Sequence, residues 1–320
     1  MRVFENTNFD FIRHRRLAYL VSGVVIGVMV IMAIFWQVTR GSWLNYGVDF
    51  TGGTLVQIRF REAVPVEDVR SVIEPVMPRT EVTRFGGENE FLIRAPQFGT
   101  EAESGSRLVE SALRDRFGAD SFEVTRIEAV GPKVGSELQG KAAIAVILSF
   151  LATLVYLAFR FEWRFGVAAV IATVHDTLLT LGIISAFRLE VSLTTVAAVL
   201  TIIGYSLNDT IVVFDRIRDN LKRTGRRESY IAILNRSINE TLSRTVMTGG
   251  STLAVLLALL VLGGPIIRDF ALILFLGIVI GTFSSIFIAS PILLEIEERW
   301  GEVGKARAGA KPARAAGARV

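Results

Sequence analysis

The sequence predicts an α-helical membrane protein, with six transmembrane helices and one α+β domain of ferredoxin-like order, βαββαβ, standing outside the membrane. Three observations lead there. Of 320 residues, 51% are hydrophobic, and the mean hydropathy is +0.47. Six apolar runs come near the roughly 20 residues that a spanning helix needs. Between the first and second of them lies a charged stretch, 41–140, with no spanning run of its own.

The first run, Leu17–Val38, follows Arg13, Arg15 and Arg16. Secretory signals also begin that way, but this run is long for one and no small-x-small cleavage pattern follows. Residues 1–40 are therefore read as an N-terminal segment and a retained first helix. Within 41–140, strand-like runs fall at Thr54–Phe60, Glu81–Phe85, Glu90–Ala95 and Phe122–Ile127, and helical spacing marks Val66–Val76 and Ser106–Phe117. Gly86-Gly87 fits a hairpin turn and Gly118 a helix stop.

The remaining spans are Ala142–Phe159, Phe165–Phe187, Val191–Phe214, Thr245–Leu262 and Phe270–Leu294, a bundle over 141–294. The segment 215–244 reads as an inner loop, in which Ile231, Leu234, Ile238 and Leu242 predict an amphipathic helix lying at the interface. Gly23 with Gly27, Gly204 with Ser206, Gly249-Gly250, and Gly277 with Gly281 allow close helix approach. The basic tail, 295–320, is poor in apolar bulk and expected to be disordered.

Lys and Arg set the orientation. With the N-terminus inside, the inner segments hold Arg13, Arg15, Arg16, Arg160, Arg164, then Arg216, Arg218, Lys222, Arg223, Arg226, Arg227 and Arg236, and the tail; the short outer loops hold only Arg188 and Arg268. The net charge of +4 then follows from topology and attraction to anionic lipid, and no nucleic-acid partner is needed. The chain has no cysteine and two histidines, which argues against a metal site. No Walker, Rossmann, GxSxG or HExxH pattern is present, so neither a cofactor nor hydrolytic or redox chemistry is expected.

Asp209, preceded by Asn208, interrupts the fourth apolar run, and Arg244 opens the fifth. An ionised side chain at bilayer depth costs roughly 2.5–3.5 kcal/mol even on the lenient insertion scale, so such residues face a bundle interior and commonly carry ions or protons. Asp209 and Arg244 flank one inner loop and fall at similar depth, where moving the guanidinium nearer or farther would switch the carboxyl between releasing and holding a proton. The plainer reading is that Arg244 snorkels to headgroups and Asp209 bonds its neighbours. His175-Asp176, midway along the third span, fits a proton relay and a structural hydrogen-bonding role equally well.

GVDFTGG at 47–53, VGPKVGSEL at 130–138, HD at 175–176, GYSLNDTIVVFDRIRDN at 204–220 and NETLSRTVMT at 239–248 together resemble the SecD/SecF family of bacterial protein translocase subunits, on its SecF side. The likeness runs from about residue 10 to 295. It implies an RND-type half in the bacterial inner membrane with 41–140 periplasmic, and a SecD partner. It also implies association with the SecYEG channel and with YajC and YidC, an unfolded preprotein as substrate, and the proton motive force as energy source. It marks Asp209 and Arg244 as proton-pathway residues; His175, Asp176 and Asn208 stand as further candidates on their place in the spans alone. Two rivals stand beside it: a proton-driven exporter of small molecules or lipids from the same superfamily, and a scaffold in which the charged pair only holds helices together.

Overall fold

A computed structural model describes residues 7–78, 80–95, 104–224 and 228–300; of the basic tail expected to be disordered, 295–300 is instead helical, with Ile296 and Glu297 buried, and 301–320 lies outside the described residues. A 3-10 turn, Ile12–His14, leads into α1, Arg15–Arg40. Gly41 stops α1 with a φ of 76°, a left-handed conformation that only glycine adopts cheaply, and its N–H reaches back to the Gln37 carbonyl. There follow β1 (Asn45–Tyr46), α2 (Val48–Thr51), β2 (Gly53–Phe60), α3 (Val66–Ile73), β3 (Glu81–Arg84), β4 (Glu90–Ala95), α4 (Ser104–Phe117) and β5 (Phe122–Val130).

From β2 to β5 the order is βαββαβ, as expected. The four strands lie as β3-β4-β2-β5, every neighbour antiparallel, which is the ferredoxin-like arrangement. Alternation sends Val56, Ile58 and Phe60 to one face, against Val69 and Ile73 of α3 and Val109 and Leu113 of α4. The opposite face meets the bundle through Leu55 and Leu92 packed on Val48 of α2.

The bundle continues as α5 (Pro132–Arg160), α6 (Trp163–Ala186), β6 (Glu190–Val191), α7 (Leu193–Thr224), α8 (Tyr230–Leu262), α9 (Gly264–Ser284), a five-residue π-helical stretch (Ser285–Ala289) and α10 (Ser290–Trp300). Among the described residues six helical segments are long and apolar enough to cross a membrane. α6 and the α9–α10 segment are central, whereas α1 and α5 show Leu20, Ile31, Ile147 and Leu148 on the outside, the bulky apolar surface that lipid accepts.

Three further expectations need correction. The second span starts well before its apolar run: α5 begins at Pro132, because Gly135 lets its first turns lie against the α2 backbone. A Cβ there would sit 2.9 Å from the Phe50 carbonyl oxygen. The segment 215–244 is not a loop, since α7 runs on to Thr224 and α8 begins at Tyr230. The predicted interfacial helix is the first part of α8, unbroken into the fifth span; its Ile233, Leu234, Ser237, Ile238 and Thr241 are buried, where tertiary packing outweighs attraction to an interface.

The small residues divide into two groups. A Cβ on Gly277 would strike Ile202, one on Gly281 would lie 3.0 Å from Ser206 Cβ, and one on Gly249 would lie 3.3 Å from Thr282 Oγ1. Gly23, Gly27, Gly204 and Gly250 meet nothing within 4 Å, so close packing inside this chain does not account for them. Gly182, which lies against Met29, does the work expected of the pair on α1.

Candidate functional site

Asp209 lies on the buried side of α7, 8% exposed. Its two carboxylate oxygens are met separately: Thr245 Oγ1 of α8 donates to Oδ1 at 2.9 Å, and Ser285 Oγ donates to Oδ2 at 2.9 Å. The α7–α8 hairpin explains the first contact, since residues equidistant from its turn come level. The second follows from the fit between α7 and the last span. Gly281 admits Ser206, and Ser285, one turn along, then faces Asp209.

Ser285 opens the π-helical stretch, a local widening that often accompanies functional sites, and Ser290 Oγ donates to its carbonyl oxygen at 3.0 Å. Its hydroxyl stands 3.0 Å from a second acceptor, the Thr282 carbonyl oxygen. One hydroxyl hydrogen serves one of these at a time. With Asp209 ionised, Ser285 donates to the carboxylate; with Asp209 protonated, Ser285 can turn to Thr282 and accept from the acid. In either protonation state Asp209 thereby keeps a hydrogen bond with Ser285.

One turn before Asp209, Ser206 Oγ donates to Asp176 Oδ2, while His175 Nδ1 stands 2.8 Å from Oδ1. Asp176 is 1% exposed. The sequence pair thus bridges α6 to α7 directly beside the Asp209 site. His175 Nε2, buried, has no hydrogen-bond partner among the described residues. Ser206, Thr245 and Ser285 escaped sequence reasoning because hydroxyls are abundant in these spans. Of the three, spacing in the sequence marks only Ser206, with Gly204, and as a packing residue.

Arg244 and Asp209 are not ion-paired. Arg244, exposed on α8 beside the buried Thr245, makes neither an ion pair nor a hydrogen bond among the described residues. It borders a polar cleft of about 380 Å³ between α7 and α8, lined also by Asp215, Arg216, Asp219, Lys222 and Glu240. Asn208 too is turned outward, away from its neighbour's site. With Ala197, Thr201 and Gly204 it makes an exposed stripe on α7, matched on α8 by Arg244, Thr248, Gly250 and Ser251. These small and polar side chains differ from the Leu and Ile shown to the outside by α1 and α5.

A polytopic helical bundle with a membrane-buried carboxylate, held by exchangeable hydroxyls and joined to a small α+β domain, belongs to the transport class. Residues 109–299 match the family of the C-terminal part of the protein export membrane proteins SecD and SecF, and residues 41–64 match the SecD/SecF GG motif. Similar proteins include the protein translocase subunits SecF of Gemmatimonas aurantiaca, 46% identical over 94% of this chain and 90% of that one, and of Desulfurispirillum indicum, 45% identical over 91% and 92%. The crystal structure of SecDF, a translocon-associated membrane protein from Thermus thermophilus, superposes with a TM-score of 0.80 at 38% identity, covering 93% of this chain and 40% of that one. The chain belongs to the SecD/SecF family, as a SecF-type member.

Proposed function

We propose that this chain is the SecF subunit of the protein-export machinery of the bacterial inner membrane, which with SecD spends the proton motive force to draw unfolded preproteins outward through SecYEG. The reading takes both termini as cytoplasmic and the outer domain as periplasmic, in line with the Lys and Arg bias. YajC, YidC and anionic lipid are the remaining expected contacts. A small-molecule exporter is not favoured, since the relatives are translocase subunits over nearly their whole length.

The observation that carries the proposal is the enclosure of Asp209 by two hydroxyls from different helices, one with a second acceptor in reach. Asp209 is the proton carrier, and Arg244 approaches it in one state of the cycle and withdraws in the other, the withdrawn state being the one described above. Asp176 and His175 hold α6 against α7, and His175 Nε2 is the free end where a hydrated path would attach. Because this chain answers to 40% of the SecDF chain, the stripe of Thr201, Gly204, Asn208, Thr248 and Ser251 is the face for SecD, with Arg244 at its edge.

Vesicles carrying SecD, SecYEG and this chain provide the test. Asp209→Asn should remove the part of export that depends on an imposed proton gradient, leaving complex formation intact; undiminished gradient-driven export would overturn the assignment.

A further inference from the structure

On the outer side, well away from Asp209, a second cluster joins the domain to the bundle. β1 pairs in parallel with β6, Asn45 opposite Glu190 and Tyr46 opposite Val191. Asn45 Nδ2 donates to the Arg188 carbonyl oxygen at 3.2 Å, and Gly47 N–H to that of Val191 at 2.9 Å. Asp49 Oδ2 accepts from the Leu193 N–H at 2.8 Å, satisfying one of the free donors at the start of α7. Glu190 then reaches over to the sheet, where Arg94 Nη2 donates to its Oε2 at 2.6 Å.

Arg94 sits in a row across β3, β4, β2 and β5, with Glu81 opposite it at 3.3 Å and Leu55 and Glu128 beyond. Arg94 and Glu190 are 21% and 24% exposed, so the pair is largely shielded from solvent and held in one geometry. Gly47 is part of the device. A Cβ there would collide with the Glu190 carboxylate, so a larger residue at that position displaces the carboxylate from its place beside Arg94.

We propose that Arg94 and Glu190 are positioning residues that lock the outer domain to the start of α7, so that displacement of the helix carrying Asp209 is delivered to the domain. The inference rests on the proton-coupled reading of Asp209. α7 is one unbroken helix, and about 24 Å separate its first residue from Asp209 at 1.5 Å per residue. A helix transmits a shift along that length with little loss, but the turn between α6 and α7 could absorb it. The Arg94 clamp removes that slack.

Burial is the largest influence on Glu190 and lifts its carboxyl above the ordinary range; Arg94 opposes this, while Glu128, Asp269 and Asp49 push the same way. A carboxyl whose value is raised on docking takes up a proton as it docks. Docking is therefore favoured below the ordinary carboxylate value, and the advantage is lost as pH rises through the raised one.

The chain has no native cysteine, so a covalent replacement tests the idea. Arg94→Cys with Glu190→Cys, in vesicles with SecD and SecYEG, should lower gradient-driven export on the order of tenfold while proton flux across the vesicle membrane persists, as expected of slipping rather than of a lost structure. A short bismaleimide tether between the two cysteines should restore export. Gly47→Val, which keeps both charges, should slip in the same way. The inference is overturned if the untethered variant exports normally, if the tether fails to restore export from an intact complex, or if proton flux stops with export. Asp209→Asn in the same vesicles separates the two claims: normal gradient-driven export there would defeat the proton reading, whatever the tether does.

Discussion

A carboxylate enclosed by apolar helices announces itself in a sequence, because Asp and Glu are expensive there and few; the groups that make it usable do not. Thr245 and Ser285 look like any other hydroxyl in these spans, and each normally bonds its own helix carbonyl four residues back, as Thr173 and Thr177 do. What sets them apart is level and rotation, which depend on where α7 and α8 turn and on the π-helical stretch. Hydrogen bonds to a charged group are worth about 1.5–3 kcal/mol. Ser285→Ala and Thr245→Val should therefore each cut gradient-driven export by roughly tenfold or more, with complex formation unchanged. Ser290→Ala, which removes only a bond to the Ser285 carbonyl, should cost less. Initial export rates in vesicles at a fixed gradient decide it. Equal losses for Ser290→Ala and Ser285→Ala would mean that the π-helical shape matters and the Ser285 hydroxyl does not.

Among the elements, hydropathy located the spans but not their ends. It follows the apolar stretch, and α5, α7 and α8 all continue past theirs. Their extensions are held by protein: by α2 in the case of α5, and by each other for α7 and α8, through Asn220 to Ser237 at 3.0 Å and Arg216 to Glu240 at 2.6 Å. Glycine motifs were legible as packing but not as packing against what. Gly281→Leu should destabilise the chain by roughly 1–3 kcal/mol, because Ser206 has no room to yield, and thermal unfolding in detergent measures it. Gly204→Leu and Gly250→Leu should leave that stability unchanged yet weaken co-purification with SecD, since their Cβ positions open outward. If SecD binding survives both, the polar stripe is not its docking face. Topology is tested with the same cysteine-free background. Asp120→Cys on the outer domain should react with an impermeant maleimide added from outside, and Lys222→Cys at the end of α7 should not.

At the scale of the whole molecule, the ferredoxin-like order was readable because period-two and helical patterns alternate cleanly between residues 54 and 127. Attachment of that domain was not, since Arg94 and Glu190 lie 96 residues apart and neither is unusual where it stands. The same limit applies to the open face, which shows only after the helices are placed: Asn208, one residue from Asp209, points away from the site, and Arg244 is free of it. A proton crossing 100 mV releases about 2.3 kcal/mol, enough to bias a modest rearrangement only if the carrier has access to both sides in turn. In this chain Asp209 is shut in by Thr245 and Ser285, and Arg244 looks outward across a surface unsuited to lipid. On the proposed reading of Asp209 as the proton carrier, a second membrane half completes the route. The chain reconstituted with SecYEG alone should show neither gradient-driven export nor proton flux above that of empty vesicles, and both should appear on adding SecD. Proton flux from the lone chain that is abolished by Asp209→Asn would instead place the entire path within these six helices.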